Sequence, residues 1–344
     1  MPANPKRQAT RELGRMIVGG VILIAYFVLV EVMVGWRALL AQCAHVGAAP
    51  LLLVLGGLTG GYALRALRLK QVLAAPLEPA SAEPVGAVRD VSAFADVSVP
   101  PAPTAMPAPG FATLLRCLLL NNAANWLLPA RAGDLGLPLL LRREAGLSRA
   151  HGVSVLLWLR LLDLHALAGI GGATFALTTT GIARLAGIGA LLGAMVAPWL
   201  SRRVLAQLAP RLARRFPRIK DALALLDRTP AALRRDIALT WTAWLVKLIA
   251  LGFALAQLSG ATPGAGLAGA IGGDLSTVLP IHAPLGAGTF ESGVLLAMTP
   301  WGLPAPGLIA AAVQFHLLML AVALAATGAS LLIPSRPPAL LESQ

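Results

Sequence analysis

Long apolar runs, separated by short basic or broken stretches, dominate this chain from end to end. A bilayer core about 30 Å thick is crossed by about 20 apolar residues of helix, each adding about 1.5 Å. By that ruler six stretches predict full spans: Met16 to Gly35, Pro50 to Leu67, Gly152 to Thr178, Ile182 to Leu200, Ile237 to Leu258 and Leu308 to Ile333. The first follows Lys6, Arg7, Arg11 and Arg15 as a secretory signal would, but its apolar run exceeds the roughly 7–15 residues of a signal core. The LAQC string at Leu40 to Cys43 is a poor lipoprotein cleavage site, because Gln42 stands where a small residue is needed. An uncleaved first helix is expected.

Two regions are too interrupted for an ordinary span. In the first, Phe111 to Ser148, the residues Asn121, Asn122 and Asn125 and then Pro129 and Gly133 break the apolar pattern. In the second, Gly264 to Pro304, glycines and prolines surround Asp274 and Glu291. Broken backbone at membrane depth is tolerated where protein or a water-filled cavity satisfies the freed groups, so both are expected to be re-entrant or discontinuous helices. Each also reads as a helix stopped by proline, a glycine loop and then an acid: Pro129 through Gly133 to Asp134, and Pro280 through Gly286 and Gly288 to Glu291. They are candidates for an inverted repeat whose halves meet in the membrane. The fold class expected is therefore all-α, a polytopic helical bundle of about six full spans plus two broken regions.

Basic flanks set the expected orientation. Arg65, Arg68 and Lys70 close the second run as the basic N-terminus opens the first, so the positive-inside rule puts both on the cytoplasmic side and both chain termini there. Residues 71 to 110 hold eight prolines and four acids and read as a flexible cytoplasmic linker. Between Arg202 and Arg235 ten basic residues face Asp221 and Asp227, and Leu205, Leu208, Leu212, Phe216 and Ile219 fall at the spacing of an interfacial helix. The expected organisation is residues 1–70 as basic segment and first hairpin, 71–110 as linker, 111–333 as membrane core and 334–344 as tail.

Composition removes several functions. Hydrophobic residues make up 57% of the 344 and charged residues 12%, which excludes a soluble enzyme. The net charge of +13 sits between apolar runs with few aromatics, a membrane protein's distribution, and no nucleic-acid partner is expected. Cys43 and Cys117 are far apart, and His45, His151, His165, His282 and His316 show no ligand spacing, so no metal and no cofactor are expected. The string Gly264 to Gly269 resembles a nucleotide fingerprint but lies inside an apolar segment. Arginine far outnumbers lysine, a bias of GC-rich bacterial genomes, and the expected location is a bacterial inner membrane.

Charges inside apolar helix cost at least ~2.5–3.5 kcal/mol each on insertion scales, so those present should face a cavity or a partner. The candidates are Arg116, Arg131, Asp134, Arg160, Asp163, Lys247, Asp274 and Glu291. Arg160 and Asp163 share a helix face and make a local salt bridge or face a cavity; Lys247 lacks a carboxylate one turn away and pairs with Asp274 or Glu291 or serves a ligand. Asp134 and Glu291 cap their helices or act on a ligand, and Asn125 is glue between helices or a ligand contact. On the functional reading Arg131, Arg160 and Lys247 hold an anion, for guanidinium donors match phosphate oxygens in a fork. A phosphate-bearing lipid is the substrate implied.

The run Asn125, Pro129, Arg131, Gly133, Asp134, the string LLRREAGLS ending at Ser148, RLLD at 160 to 163 and LPIHAPLGAGTFE ending at Glu291 together resemble a known family. They are similar to the membrane domain of lysylphosphatidylglycerol synthases and its stand-alone flippase-like relatives, over about residues 11 to 333 apart from the linker. Two departures stand out: Asp134 occupies a position where the family usually has Glu, and the 71–110 stretch is longer and richer in proline. No aminoacylating domain follows in this sequence, so synthase activity is not expected of it. The resemblance implies a membrane protein that moves or handles lipid-linked or aminoacylated phospholipids, with an anionic phospholipid or a polyprenyl-phosphate-linked lipid as partner. A site of Asn125, Arg131, Asp134, Arg160, Asp163, Lys247 and Glu291 is expected to bind the headgroup. The alternatives are a membrane-embedded enzyme acting on a lipid phosphate, with Asp134 or Glu291 as base, and a noncatalytic partner of a lipid-linked glycosyltransferase or synthase complex. No nucleotide site is visible, which leaves passive or ion-coupled movement.

Overall fold

Apolar runs of this length satisfy their backbone hydrogen bonds most cheaply as helices, and helices are what form. The computed structural model describes residues 20–21, 24–44, 46–74, 109–127, 133–215, 229–278 and 283–334, and among these no strand occurs. The helices are α1 Ile24–Met33, α2 Trp36–Ala44, α3 Ala48–Ala74, α4 Phe111–Leu127, α5 Gly136–Ala145 and α6 Arg149–Thr178. They continue with α7 Gly181–Arg215, α8 Pro230–Ser259, α9 Pro263–Val278, α10 Thr289–Met298 and α11 Ala305–Ser330. Ends follow local chemistry: the Ser148 hydroxyl accepts His151 N–H at the start of α6, and Thr229 with Pro230 at the first position opens α8.

Five helices are long and apolar enough to cross a bilayer: Ala48–Ala74, Ala150–Thr178, Gly181–Pro198, Pro230–Ser259 and Gly307–Ser330. A sixth span is obtained when α1 and α2, bent by 76°, are taken together. The protein is a multi-pass integral membrane protein. The bend falls on Gly35, whose φ of +79° an L side chain would strain. It is stitched by Glu31 accepting the Trp36 N–H at 2.8 Å and by Trp36 Nε1 donating to Phe27 O at 3.0 Å. Past the expected end at Gly35 the chain continues as α2, turned 76° from α1.

α11 and α6 are the most enclosed and α7 is peripheral: 61% of the α11 span window is buried inside the protein against 11% of the α7 window. The core gathers Val54 and Leu58 of α3, Ala166 of α6, Leu248 and Leu251 of α8, Phe290 of α10 and Phe315 of α11. α9 and α10 form a close hairpin. A Cβ on Gly272 would stand 2.2 Å from Gly293 O, and one on Gly293 2.4 Å from Gly272 O, so the two backbones touch there. The glycines of the 264–269 string serve the same purpose, since a Cβ on Gly266 would meet Gly252 O of α8 at 2.2 Å. At about 24 Å and 15 Å, α9 and α10 are each shorter than a full span.

Two expectations need restating. The segment after Arg202 continues α7 without interruption to Arg215, whereas a separate interfacial helix was expected; residues 216–228, with Phe216 and Ile219, lie outside the described residues. The expected linker begins later than residue 71, because α3 continues to Ala74; residues 75–108 of it, the N-terminal residues 1–19 and the tail after Pro334 also lie outside the described residues.

Candidate functional site

Between α3, α4, α6, α8, α9 and α11 lies a cavity of about 100 Å³, room for several waters or a small polar group. Its charged lining is Arg65 and Arg68 from α3, Arg160 and Asp163 from α6, Lys247 from α8 and Asp274 from α9. Four cations thus face two carboxylates. Asn121, Asn122 and Asn125 of α4 and Tyr62 of α3 supply the neutral polar wall, and Trp126 and Trp244 the aromatic one.

Close helix contact builds this wall. On α3 the positions Gly57, Gly61, Arg65 and Arg68 follow one another at helical spacing along one stripe. The two glycines let α8 approach: a Cβ on Gly57 would stand 2.7 Å from Ala250 Cβ, and one on Gly61 3.2 Å from Lys247 Cβ. One turn further the arginines have the room the glycines left. Arg65 lies over the Trp244 ring at 4.3 Å, and Lys247 approaches the same ring at 5.0 Å.

The acids hold the cations in position. Arg68, 3% exposed, donates from Nη1 to Asp163 Oδ1 at 2.7 Å and to Thr240 Oγ1 at 2.9 Å. Asp163 Oδ1 also accepts the Trp244 indole N–H at 3.0 Å, and Arg160 Nη1 lies 3.7 Å from Oδ2. The local Arg160–Asp163 bridge is present, but Asp163 belongs chiefly to Arg68 on another helix. Lys247 Nζ donates to Asp274 Oδ1 at 2.7 Å. Arg160 is held from its other side by Asp134, whose Oδ1 accepts Arg160 Nη2 and also Asn125 Nδ2 at 2.5 Å. Gly133 makes this possible, because a Cβ there would sit 2.4 Å from Asn125 N.

After these bonds a set of buried donors has no partner among the described residues: Arg65 Nε and Nη2, Arg68 Nε and Arg160 Nε. The acceptors Asn121 Oδ1, Asn125 Oδ1 and Asp274 Oδ2 are left over as well. An unsatisfied buried polar group costs about 1–3 kcal/mol, more when charged, so the cavity favours polar contents. The excess of cationic donors selects an anion, and three guanidinium groups suit tetrahedral oxygens.

Of the residues expected at the site, Asn125, Arg160, Asp163 and Lys247 line the cavity, and Asp134 stands behind Arg160 and Asn125. Arg131 lies outside the described residues. Arg116 pairs with Glu144 at 3.5 Å and is absent from the lining. Glu291 belongs to a separate cluster. Its Oε2 accepts Gly288 N–H at 2.9 Å, capping its own helix, while Oε1 accepts the Tyr26 hydroxyl at 2.6 Å and lies 2.7 Å from His316 Nδ1. The Trp126 ring, which lines the cavity, stands 5.3 Å from the His316 ring and links the two clusters. His282 lies outside the described residues.

Arg65 and Arg68 were missed as site residues, because basic residues closing an apolar run read as an orientation signal. The Gly57, Gly61, Arg65, Arg68 stripe was the available clue: it puts both arginines on the face that small residues reserve for another helix.

Comparison with curated proteins and with solved structures gave no match. The model for the lysylphosphatidylglycerol synthase TM region matches residues 16–327, nearly the whole chain, and the protein belongs to that family.

Proposed function

We propose that this protein moves a phosphate-bearing anionic lipid between the leaflets of a bacterial inner membrane, lodging the headgroup in the cationic cavity while the tails stay in the bilayer. The observation that carries the reading is the cluster Arg65, Arg68, Arg160 and Lys247, whose buried guanidinium N–H groups outnumber their partners. Family membership supports a phospholipid setting. Arg65, Arg160 and Lys247 bind the phosphate. Asp163 and Asp134 fix the guanidinium planes, and Asn125 with the unpartnered acceptors Asn121 Oδ1 and Asp274 Oδ2 meets hydroxyl or amine donors of the headgroup. Glu291 acts from outside the cavity. An anionic phospholipid and a polyprenyl-phosphate-linked lipid share the phosphate chemistry, and both chain termini are cytoplasmic in this reading.

The test is to purify the wild type and the Arg65→Ala and Arg160→Ala variants in mild detergent and to identify retained lipids by native mass spectrometry with fragmentation. One phosphate-bearing lipid class enriched in the wild type and reduced at least tenfold in both variants is expected, since each charged hydrogen bond contributes about 1.5–3 kcal/mol. The headgroup masses separate the two lipid sources. Bulk lipid in bulk proportions in all three proteins overturns the reading and favours a noncatalytic partner role; a chemically altered lipid favours an enzyme.

A further inference from the structure

Glu291 and His316 are buried, at 5% and 3% exposure, and neither lines the cavity. Three groups converge on the Glu291 carboxylate. Its Oε1 is shared between the Tyr26 hydroxyl at 2.6 Å and His316 Nδ1 at 2.7 Å, and its Oε2 takes the Gly288 N–H at 2.9 Å. The opposite nitrogen of the same imidazole, Nε2, is buried with no partner among the described residues. The ring is enclosed by Phe290, 4.6 Å away and stacked, and Trp126 at 5.3 Å.

Another proton disrupts this arrangement. Added to Nε2, it creates a buried charged donor facing no acceptor among the described residues; added to Oε1, it takes away an acceptor that two groups share. The second event disturbs the Tyr26 hydrogen bond, a polar tie by which α1 reaches across to α10 and α11. Acid and histidine pairs of this kind inside membrane helices are the usual material of proton pathways. α1 presents Tyr26, α4 the uncharged Trp126, and α2 Gln42, which pairs with Gln314. α3 and α8 direct Arg65, Arg68 and Lys247 into the cavity, and Asp274 of α9 is bound to Lys247.

We infer that Glu291 and His316 form a proton-binding site that latches α1 through Tyr26, and that Trp126 communicates its state to the neighbouring cavity. The role in lipid movement rests on the reading above; the proton site and its latch do not. Proton uptake frees α1, and proton loss redocks it. The site thereby offers a source of coupling for a protein whose sequence shows no nucleotide motif.

The experiment uses the full chain in detergent, without added lipid, from about pH 8 down to about pH 4, where carboxylates take up protons. Infrared difference spectra report the protonated carboxyl stretch, and backbone hydrogen exchange, corrected for intrinsic pH dependence, reports the docking of α1. In the wild type, acidification is expected to produce a carboxyl band and to lower α1 protection together; Glu291→Gln removes the band. Tyr26→Phe leaves α1 poorly protected at both pH values. A band that survives Glu291→Gln, or α1 protection that does not respond to pH in the wild type, overturns the proposal. Should Glu291→Gln fail to fold, Tyr26→Phe decides, and α1 protection that still falls on acidification in that variant overturns the proposal. Neither readout depends on lipid retention by the Arg65 and Arg160 variants, so the two proposals fail separately.

Discussion

The two broken regions look alike as strings of residues and differ as chemistry. Each stops a helix near a proline, passes through glycine and arrives at an acid, Asp134 in one and Glu291 in the other. Asp134 reaches outward to a permanent cation, Arg160, and to the amide of Asn125, and so serves the wall of the cavity. Glu291 binds its own helix at Gly288 and draws in two groups without permanent charge, Tyr26 and His316. The acid's partner therefore decides its role. Beside a guanidinium, a carboxylate is a fixed strut; beside an imidazole and a phenol, it is held by groups that carry no permanent charge.

The sharpest way to break that comparison is to remove a strut from the cavity. Asp163→Ala would leave Arg68, 3% exposed, without its carboxylate and the Trp244 indole without its acceptor. Stranding one member of a buried ion pair costs about 3–5 kcal/mol, and the expected result is a large fall in thermal midpoint in detergent. Adding Arg68→Met should recover much of it, because removing both charges of a buried pair is often neutral. A single variant as stable as the wild type would show that Asp163 is not the anchor of this wall.

The loop glycines allow a finer comparison. At Gly133 the obstacle is a neighbour, since a Cβ would collide with Asn125 N at 2.4 Å; at Gly288 the space is open but φ is +75°. Gly133→Ala should cost about 1–3 kcal/mol by overpacking and displace Asp134 from Arg160, lowering lipid retention as well as stability. Gly288→Ala should cost about 1–2 kcal/mol by backbone strain, with lipid retention kept. Equal effects on retention would erase the distinction between the regions.

Much of this fold was legible because bilayer thickness turns a run of apolar residues into a helix of known length. The runs at 50–67, 152–178, 182–200, 237–258 and 308–333 all became spanning helices. The bend between α1 and α2 was harder to see, since Gly35 and its flanking Glu31 and Trp36 act through backbone geometry rather than hydropathy. Intramembrane charge pointed to Arg160, Asp163, Lys247 and Asp274, because each is costly unless it faces a partner. It could not say that Asp163 prefers Arg68, 95 residues away, over Arg160 one turn away, as that choice depends on how closely α3, α6 and α8 approach. Arg65 and Arg68 were hidden by their position at the end of a span, where basic residues commonly mark orientation.

The smallest expected effect tests the second region alone. Tyr26→Phe keeps the ring and its apolar packing beside Val30 and Val313 and removes a single hydroxyl. Glu291 retains Gly288 N–H and His316, so the carboxylate is not left bare, and the loss should be about 1 kcal/mol, the net value of one hydrogen bond. A matching removal in the cavity, Asn125→Ala, also takes one donor from a carboxylate that keeps another partner, Arg160. The two variants should therefore unfold at similar temperatures, with Asn125→Ala weakening lipid retention and Tyr26→Phe loosening α1. If Asn125→Ala loosened α1 or Tyr26→Phe released lipid directly, Trp126 would be transmitting far more than contact, and the two clusters would have to be treated as a single site.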